Sequence, residues 1–336
     1  MNNNFLIVLL IVVYVFIIFK KKQTIEGLIF NHPDFLKVYP KYNFTINHNQ
    51  KELIHNNKDK IKYKDLNTKE SIEIMNNKNT TNTKLKKQGI PVPNSVKYTK
   101  NTNVPNLIIE VEKKLKYPLV VKPVAGSQGK DVNLDINNKT QLIDTINNLS
   151  KYKELIIEEQ HEGENFRILI VNNKIIDIIL RPLPFVIGDG HKKLTILISE
   201  RNRKQIENGN KPTYNINEQF IQTQKYNIND VIPYNQKVFI TNIANYHNGS
   251  NPEIIPIDKV HPDNVNMFLR VNQIIGANIS GVDWISKDIS KSYKEDGIVL
   301  EVNGAPAYKM HKILHPKLKI SHDIISQLDK YYDTVF

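Results

Sequence analysis

The chain has 336 residues, enough to bury a substantial core shared between two or three subdomains. It contains no cysteine, which excludes disulfides, thiolate metal sites and a cysteine nucleophile. The net charge of +12 suits an anionic partner, but there is no Arg-rich cluster or aromatic-interleaved basic patch, so we do not expect that partner to be nucleic acid.

An uninterrupted apolar run over residues 5–19 is followed by three lysines, Lys20 to Lys22. As a helix the run would be about 22 Å long, short of a bilayer core of about 30 Å, but snorkelling lysines and local thinning can cover part of the difference. No small-residue cleavage site follows, so we expect a membrane anchor over residues 1–22, with a removed signal peptide or a buried segment as alternatives. The lysines predict a single-pass protein whose body lies on the cytoplasmic side.

Residues 23–76 are polar and weakly patterned, and we expect a small N-terminal domain or a partly ordered stalk there. From Asn77 onward, helical and strand patterns alternate, with a long polar excursion over residues 207–232. An Asn172-Asn173 turn predicts a hairpin between two apolar strands. Helices are predicted over residues 79–87, 106–116, 140–149, 194–203, 261–275 and 320–332. Strands are predicted over residues 117–123, 131–134, 154–158, 166–171, 174–180, 281–285 and 298–303.

Lys122 ends an apolar strand and precedes a small loop that contains Gly126, Ser127 and Gly129. The lysine supplies a point charge, and the glycines let backbone N–H groups approach oxygen atoms, a combination that suits a triphosphate. The loop lacks the Walker A spacing and its Ser or Thr after the lysine. Taken alone, a lysine at this position is more often an exposed surface residue.

Two strands near the C-terminal end carry Asp283, Glu301 and Asn303. Because side chains alternate faces along a strand, Glu301 and Asn303 share one face, and Leu300 and Val302 are expected to face the core. A neighbouring strand could bring Asp283 beside them, and three oxygen-bearing side chains suit Mg²⁺. The pattern also fits the solvated face of an antiparallel pair, since short motifs match often.

In this order, the motifs resemble the ATP-grasp superfamily, most closely the ATP-grasp module of cyanophycin synthetases. Glutathione-synthetase-like and ribosomal-protein-modifying ligases are less similar. The resemblance runs from about residue 76 to residue 316. The stretches that carry it are residues 77–81, 89–93, 120–123, 126–129, 157–167, 181–190, 260–264 and 301–311.

The resemblance implies an α+β chain with an ATP-grasp fold over residues 77–336, preceded by the anchor. A central subdomain over residues 77–157 and a C-terminal subdomain over residues 158–336 would grip ATP between them. The implied activity is carboxylate–amine ligation through an acyl phosphate, with amino acids or peptides as substrates. The alternative is a membrane-tethered ATP-grasp protein that binds nucleotide, or another partner, without turnover.

The resemblance also implies a role for each matched residue. The nucleotide would be held by Lys78, Lys122, Gly126, Ser127, Gly129, Glu158, Glu159, Gln160 and Asn165. Two Mg²⁺ ions, with Mn²⁺ as an alternative, would bind Asp283, Glu301 and Asn303, and Glu301 would bridge them. Arg167 and Arg181 would face the acceptor or its acyl phosphate, although both arginines and Glu158 also fit ordinary ion pairs or a solvated edge.

The chain departs from the family pattern in two places. The family usually has an acid two residues after the hinge glycine, where it meets the ribose hydroxyls. Asn165 occupies that position with Glu164 beside it, so nucleotide affinity is expected to be weaker or the contact shifted. Cyanophycin synthetases also carry a C-terminal Mur-ligase-like domain. Because this chain ends at Phe336, we do not expect it to run their full two-site cycle. His311 is a candidate base by residue type alone, with a structural histidine as the alternative.

Overall fold

The computed structural model describes residues 33–42, 44–47, 52–55, 60–62, 67–124, 131–315 and 319–334. The predicted anchor over residues 5–19 and the phosphate loop over residues 126–129 lie outside these ranges and stay predictions. Across the ranges that are described, no helix combines the length and the apolar character needed to span a bilayer.

Helices and strands follow one another in an order close to the predicted one. Helices α1 to α10 span Pro33–Val38, Lys69–Asn76, Lys78–Lys87, Val104–Lys114, Lys139–Asn148, Leu194–Glu207, Glu218–Thr223, Pro262–Ile275, Tyr308–Leu314 and Lys319–Thr334. Strands β1 to β14 span Phe44–Asn47, Glu52–His55, Lys60–Lys62, Ser95–Thr99, Leu119–Pro123, Asn133–Ile136, Glu154–Glu159, Glu164–Val171, Lys174–Leu180, Phe185–Ile187, Lys237–Phe239, Glu253–Ile254, Ile279–Ser286 and Ile298–Asn303.

A four-stranded antiparallel sheet, in the order β4-β7-β5-β6, forms the first half of the core after residue 77. Helix α4 buries Leu107, Ile108 and Val111 against it, a spacing that places three apolar side chains on one face of a helix. Asn103 caps this helix by accepting a hydrogen bond from the backbone N–H of Asn106 at 3.1 Å. The other face of the sheet is thereby left for the cleft described below.

A five-stranded sheet, in the order β12-β9-β8-β13-β14, forms the second half, with β13 between β8 and β14. Val282 and Trp284 of β13 are fully buried on one face, where the Trp284 ring lies 5.6 Å from Phe166 and 5.2 Å from Phe268 of α8. Alternation along the strand then directs Asp283 to the opposite face. The core that holds the sheet in place therefore also fixes the direction of this carboxylate.

The predicted hairpin between β8 and β9 is confirmed. Asn172 and Asn173 form its turn with φ angles of 46° and 52°. Two consecutive positive φ angles match the twist of the flanking strands, and asparagine tolerates them better than most residues. The helix predicted over residues 79–87 begins one residue earlier, at Lys78, because Asn77 caps it by accepting a hydrogen bond from the backbone N–H of Thr80 at 3.1 Å.

Residues 184–250 form a smaller unit around the β10–β11 pair, α6 and α7. The expected polar excursion lies within this unit, but Ile221 and Ile232 are fully buried in the core of the unit. Two isolated apolar residues in a polar stretch give no periodic signal, so the sequence did not predict this core.

The described parts of residues 33–76 pack on the five-stranded sheet. Phe35 and Val38 of α1 are fully buried against α10 and the outer face of the sheet. Ile74 and Met75 of α2 join the core beneath the opposite face. The boundaries predicted at residues 22, 76 and 157 stay predictions.

A buried polar cluster joins β9 to α9. The Nδ1 atom of the fully buried His311 lies 2.7 Å from Oδ2 of Asp177, and Nε2 of His315 lies 3.0 Å from the same oxygen. Burial lowers the pKa of His311. Burial alone would raise the pKa of Asp177, but its hydrogen bond with His311 and the charges of both histidines hold that pKa below its usual range.

We expect His311 to make the folded protein less stable as pH falls from about 7.5 to about 5.5. The folded state lowers the pKa of His311, so the folded protein takes up this proton at a lower pH than the unfolded chain, in which the ordinary histidine pKa is about 6.5. The stabilising contribution is therefore present above that value and is lost below it. Urea unfolding across this pH range should show a weaker pH dependence in His311→Asn than in the unsubstituted protein. The exposed His191, changed to Asn, is the control, and equal pH slopes in all three proteins would contradict the expectation.

Candidate active site

A cleft of about 740 Å³ lies between the four-stranded sheet, the five-stranded sheet and the 184–250 unit. It brings together most of the residues that were selected from sequence, from six separate parts of the chain. Those that line it are Lys78, Lys122, Glu158, Glu159, Gln160, Asn165, Arg181, Asp283 and Glu301. Arg167 and Asn303 lie on the flanking strands but do not line the cleft, and the loop over residues 126–129 is outside the described ranges.

Lys122 and Glu158 form an ion pair on the cleft face of the four-stranded sheet. Their strands β5 and β7 are hydrogen-bonded neighbours, and the Lys122 Nζ atom contacts Oε2 of Glu158. The two side chains are only 13% and 4% exposed, because Val121 and Ile157 beside them are fully buried in the core. The other carboxylate oxygen of Glu158 is buried and has no hydrogen-bond partner within the described part of the chain. That oxygen is therefore available to a ligand.

The hinge after β7 is held in place by hydrogen bonds of its own. The backbone N–H groups of Glu159 and Gln160 donate to the carbonyl oxygens of Asn94 and Pro118 at 3.3 and 2.9 Å. The Gln160 side chain makes two hydrogen bonds of 2.7 Å with Asp135 of β6. If Glu159 and Gln160 hold the nucleotide as predicted, their backbone would have to contact it through carbonyl oxygens, since both N–H groups already have acceptors.

His161 also lines the cleft, although no pattern in the sequence pointed to it. Its Nε2 atom is buried and lacks a hydrogen-bond partner among the residues described. Burial lowers the pKa of His161, while the charges of Glu159, Glu158 and Asp296 oppose that shift. A single histidine after a strand has no motif around it, so only the structure could identify this position.

Asp283 lies between two arginines. Its Oδ1 atom is 2.9 Å from Nε of Arg167, directly opposite on β8, and 3.0 Å from Nη2 of Arg181. Burial lowers the pKa of Arg181; Asp283 opposes this shift and Arg167 adds to it. Because the ordinary pKa of arginine is so high, the guanidinium remains charged. The arginines predicted to face the substrate are thus paired with a predicted metal ligand.

Asn165 does not have a free side chain at the ribose position. Its Oδ1 atom accepts hydrogen bonds from Nε of Arg181, at 2.8 Å, and from Nη2 of the same residue. Its carbonyl oxygen accepts from the backbone N–H of Arg181 at 2.7 Å. Asn165 therefore orients Arg181.

Glu301 is the direct cross-strand neighbour of Asp283, which places the two carboxylates side by side. Lys78 approaches Glu301 from α3, with 3.8 Å between Nζ and Oε1. The expectation that Leu300 faces the core is wrong. The pairing shifts from Asp283 with Glu301 to Trp284 with Val299, so Leu300 is an extra bulged residue and lines the cleft.

The cleft is acidic although the chain is basic. Burial raises the pKa of Glu164, and the charges of Glu253 and Asp288 add to that shift. Of the lining residues that the structure describes, seven are acidic and four are Lys or Arg. The acidic residues are Glu158, Glu159, Glu162, Glu164, Glu253, Asp283 and Glu301, and the cations are Lys78, Lys122, Arg181 and Lys237.

The 184–250 unit closes one side of the cleft. Phe185 and Phe239 contribute an apolar wall there, and Lys237 and Asn242 add polar groups. Asn242 Nδ2 donates to Oδ2 of Asp135 at 2.5 Å, which joins this unit to the four-stranded sheet. None of these residues was selected from sequence, because their place in the wall depends on contacts between distant segments.

Residues 75–182 match the family model of the RimK-like ATP-grasp domain. The cyanophycin synthetase of Synechocystis sp. is 31% identical over 255 residues, covering 71% of this chain and 28% of that protein. The glutathione biosynthesis bifunctional protein GshAB of Clostridium perfringens is 24% identical over 258 residues, covering 71% of this chain and 32% of that protein. The chain therefore spans about a third or less of the length of these relatives.

The crystal structure of a bifunctional glutathione synthetase from Pasteurella multocida is similar to this chain with a TM-score of 0.57 at 19% identity. The match covers 86% of this chain and 41% of that one. At this identity the likeness concerns the fold, and it extends well beyond the residues that match the family model.

We expect Lys122→Met to destabilise the protein by about 3–5 kcal/mol, because it leaves the Glu158 carboxylate buried without its cation. From sequence alone, this change should barely affect stability. Adding Glu158→Gln should recover most of the loss. In Lys97→Met, the partner Glu154 is exposed, so the loss should be only about 0–1 kcal/mol.

The measurement is urea unfolding of the three variants, beside calorimetric titration with ATP. Losing one cation from a phosphate site should weaken ATP binding by about 10- to 150-fold. Equal losses of stability in Lys122→Met and Lys97→Met would contradict the buried ion pair. Unchanged ATP affinity in Lys122→Met would contradict its assignment to the phosphates.

Proposed function

Residues 75–182 of this chain form an ATP-grasp domain of the RimK-like type, and from this premise we propose that the protein is an ATP- and Mg²⁺-dependent carboxylate–amine ligase. Amino acids or peptides are its proposed substrates. The observation that carries the proposal is the single cleft in which Asp283 and Glu301, paired across two strands, face Lys78 and Lys122.

In the proposed reaction, the γ-phosphoryl group of ATP moves to an oxygen of the carboxylate substrate, and ADP leaves. The amine nitrogen then attacks the acyl carbon, a C–N bond forms, inorganic phosphate leaves and the nitrogen loses a proton. Neither step needs a covalent bond to the protein. The side chains act by holding the reactants in place and by compensating negative charge.

Asp283 and Glu301, which line the cleft, and Asn303, which follows on the same strand as Glu301, fit Mg²⁺ by the chemistry of their donor atoms. They offer two carboxylates and an amide, all oxygen donors, and would hold two ions. Mn²⁺ would suit the same donors. When bound, the metal neutralises charge on the phosphate groups. Within the described ranges, no group of three His, Cys, Asp or Glu side chains forms a metal cluster.

The cations of the site divide into two groups. Lys78 and Lys122 are each paired with a carboxylate. When ATP binds, these lysines would exchange the carboxylate for phosphate oxygens. Arg181 lines the cleft and would contact the carboxylate substrate or its acyl phosphate. Arg167 lies behind it, donates a hydrogen bond to the carbonyl oxygen of Gly281 at 3.1 Å, and would orient Asp283. His311 is hydrogen-bonded to Asp177 and does not line the cleft, so we do not assign it the role of general base.

We expect the protein to release ADP in the presence of Mg²⁺, ATP and a suitable carboxylate, and to form a hydroxamate when hydroxylamine replaces the amine. Pools of amino acids and short peptides are the test substrates. Glu301→Gln keeps the shape but removes the charge that would bind metal, so turnover should fall about 100-fold or more. The control is Glu162→Gln, which removes the charge of an exposed glutamate that lines the same cleft and should leave turnover unchanged.

Full activity of Glu301→Gln would contradict the metal assignment. ATP binding without ADP or hydroxamate in any pool would support the alternative, a nucleotide-binding protein without turnover.

We also propose that residues 5–19 anchor the protein in a membrane with its body on the cytoplasmic side, on the strength of the apolar run and the three lysines after it. The full chain should stay in the membrane pellet after an alkaline wash, and a chain that lacks residues 1–22 should be found in the supernatant. Aggregation of the shorter chain, with the full chain soluble in the absence of detergent, would contradict the anchor.

A further inference from the structure

Asn67 lies in the weakly patterned N-terminal stretch, and its side chain is bonded to the strands of the candidate metal site. The residue is 5% exposed. Its Oδ1 atom accepts from the backbone N–H groups of Asn278 and Ile279 at 2.8 and 3.0 Å. Its Nδ2 atom donates to the carbonyl oxygens of Ile279 and Gly304, at 2.9 Å in each case. The amide thus has four backbone partners, which is its full hydrogen-bonding capacity.

These partners lie at the end of the β13–β14 hairpin that holds the metal-binding residues. Ile279 begins β13, and Gly304 directly follows Asn303 at the end of β14. Because the two strands are antiparallel, one side chain reaches the start of the first and the end of the second. Asn67 therefore fixes the distance between the two strand ends. These ends lie only a few residues from Asp283 and Glu301.

The same segment also positions the first phosphate-binding lysine. Helix α2 starts directly after Asn67, with Thr68 as its cap, and ends where Asn77 caps α3. The first residue of α3 is Lys78, whose Nζ atom lies 3.8 Å from Oε1 of Glu301. Met75 of α2 packs closely under Gly304, where a Cβ atom would lie only 2.7 Å from its Cε atom. One short helix thus connects the strand ends to the lysine.

We propose that Asn67 is a positioning residue for the metal and phosphate site. It acts through the backbone of β13 and β14 to align Asp283, Glu301 and Asn303, and through α2 to set Lys78 against them. The inference rests on the proposed function, because it assigns Mg²⁺ to these side chains. Groups that orient metal ligands from behind typically change metal affinity about 10- to 100-fold when they are removed.

The chain offers a matched control in Asn264, a fully buried asparagine that holds the other end of the same hairpin. Its Nδ2 atom donates to the carbonyl oxygens of Ile289 and Lys291 at 2.9 and 2.8 Å, and its Oδ1 atom accepts from the backbone N–H of Tyr293 at 2.6 Å. These partners belong to the connection between β13 and β14, away from the metal ligands. The residue type and the burial are alike, and the Asn264 amide makes three hydrogen bonds to backbone groups where that of Asn67 makes four.

The experiment compares Asn67→Ala and Asn264→Ala in the full chain. Both changes leave buried backbone groups without partners, so both should lower the unfolding midpoint in urea. Calorimetric titration with ATP at a series of Mg²⁺ concentrations should separate them. Asn67→Ala should need about 10- to 100-fold more Mg²⁺ for half-maximal ATP binding, and Asn264→Ala should bind like the unsubstituted protein. If Asn67→Ala does not fold, Asn67→Ser, which keeps a small hydrogen-bonding group, should show the same change to a smaller extent.

A Mg²⁺ requirement that is unchanged in the folded Asn67 variants, or that rises equally in Asn264→Ala, would overturn the inference and leave the proposed function standing. Failure of the unsubstituted protein to bind ATP with Mg²⁺ would contradict the proposed function and the inference together.

Discussion

The arrangement of the site depends on the pairing of one carboxylate with two buried guanidinium groups. Asp283 lies on the central strand of the five-stranded sheet, with Arg167 opposite it and Arg181 on the far side of Arg167. Two like charges in a buried position are costly unless a carboxylate compensates them. Asp283 can do so because Val282 and Trp284 on either side of it are fixed in the core. The strand therefore carries core and site on its two faces, and neither can shift without the other.

The two lysines of the cleft are also paired with carboxylates. Lys78 and Lys122 are paired with Glu301 and Glu158, so the charges that would meet phosphate are compensated by carboxylates within the protein. The pairs differ in burial, since Lys122 and Glu158 are nearly inaccessible and Glu301 is a third exposed. ATP would therefore displace the looser pair at Glu301 more readily, and this is the pair that Asn67 and α2 bring together.

Local pattern was sufficient for the parts of the fold and site that depend on alternation along one chain segment. The hairpin at Asn172 and Asn173 and the faces of Asp283 and Glu301 follow from turn chemistry and the two-residue period of a strand. The bulge at Leu300 could not be predicted, since it depends on the pairing register between strands. For the same reason, the ion pair of Lys122 with Glu158 could not be predicted, because Glu158 lies on a neighbouring strand.

Asn67 shows most clearly what could not be predicted from the sequence. Its hydrogen-bond partners are more than 200 residues away in the chain, and the neighbouring sequence carries no pattern. The predicted stalk and the polar excursion were harder for a related reason. Their buried residues, such as Phe35 and Ile221, are few and are covered by distant elements. The phosphate loop and the apolar N-terminal run remain predictions.

Because the cleft has an excess of acidic side chains, the charge that attracts a nucleotide to the protein is opposite in sign to the charge that the nucleotide would meet inside the cleft. The net charge of +12 gives the protein a long-range field that attracts anions, and salt screens that field over about 8 Å at physiological ionic strength. Inside the cleft, seven acids and four Lys or Arg side chains among the described lining residues give the opposite local sign. A polyphosphate without its own divalent cations would collect near the surface but be repelled at the site. Ionic strength would thus act mainly on the rate at which the nucleotide reaches the protein. The concentration of divalent ions would act mainly on how long the nucleotide stays bound in the cleft.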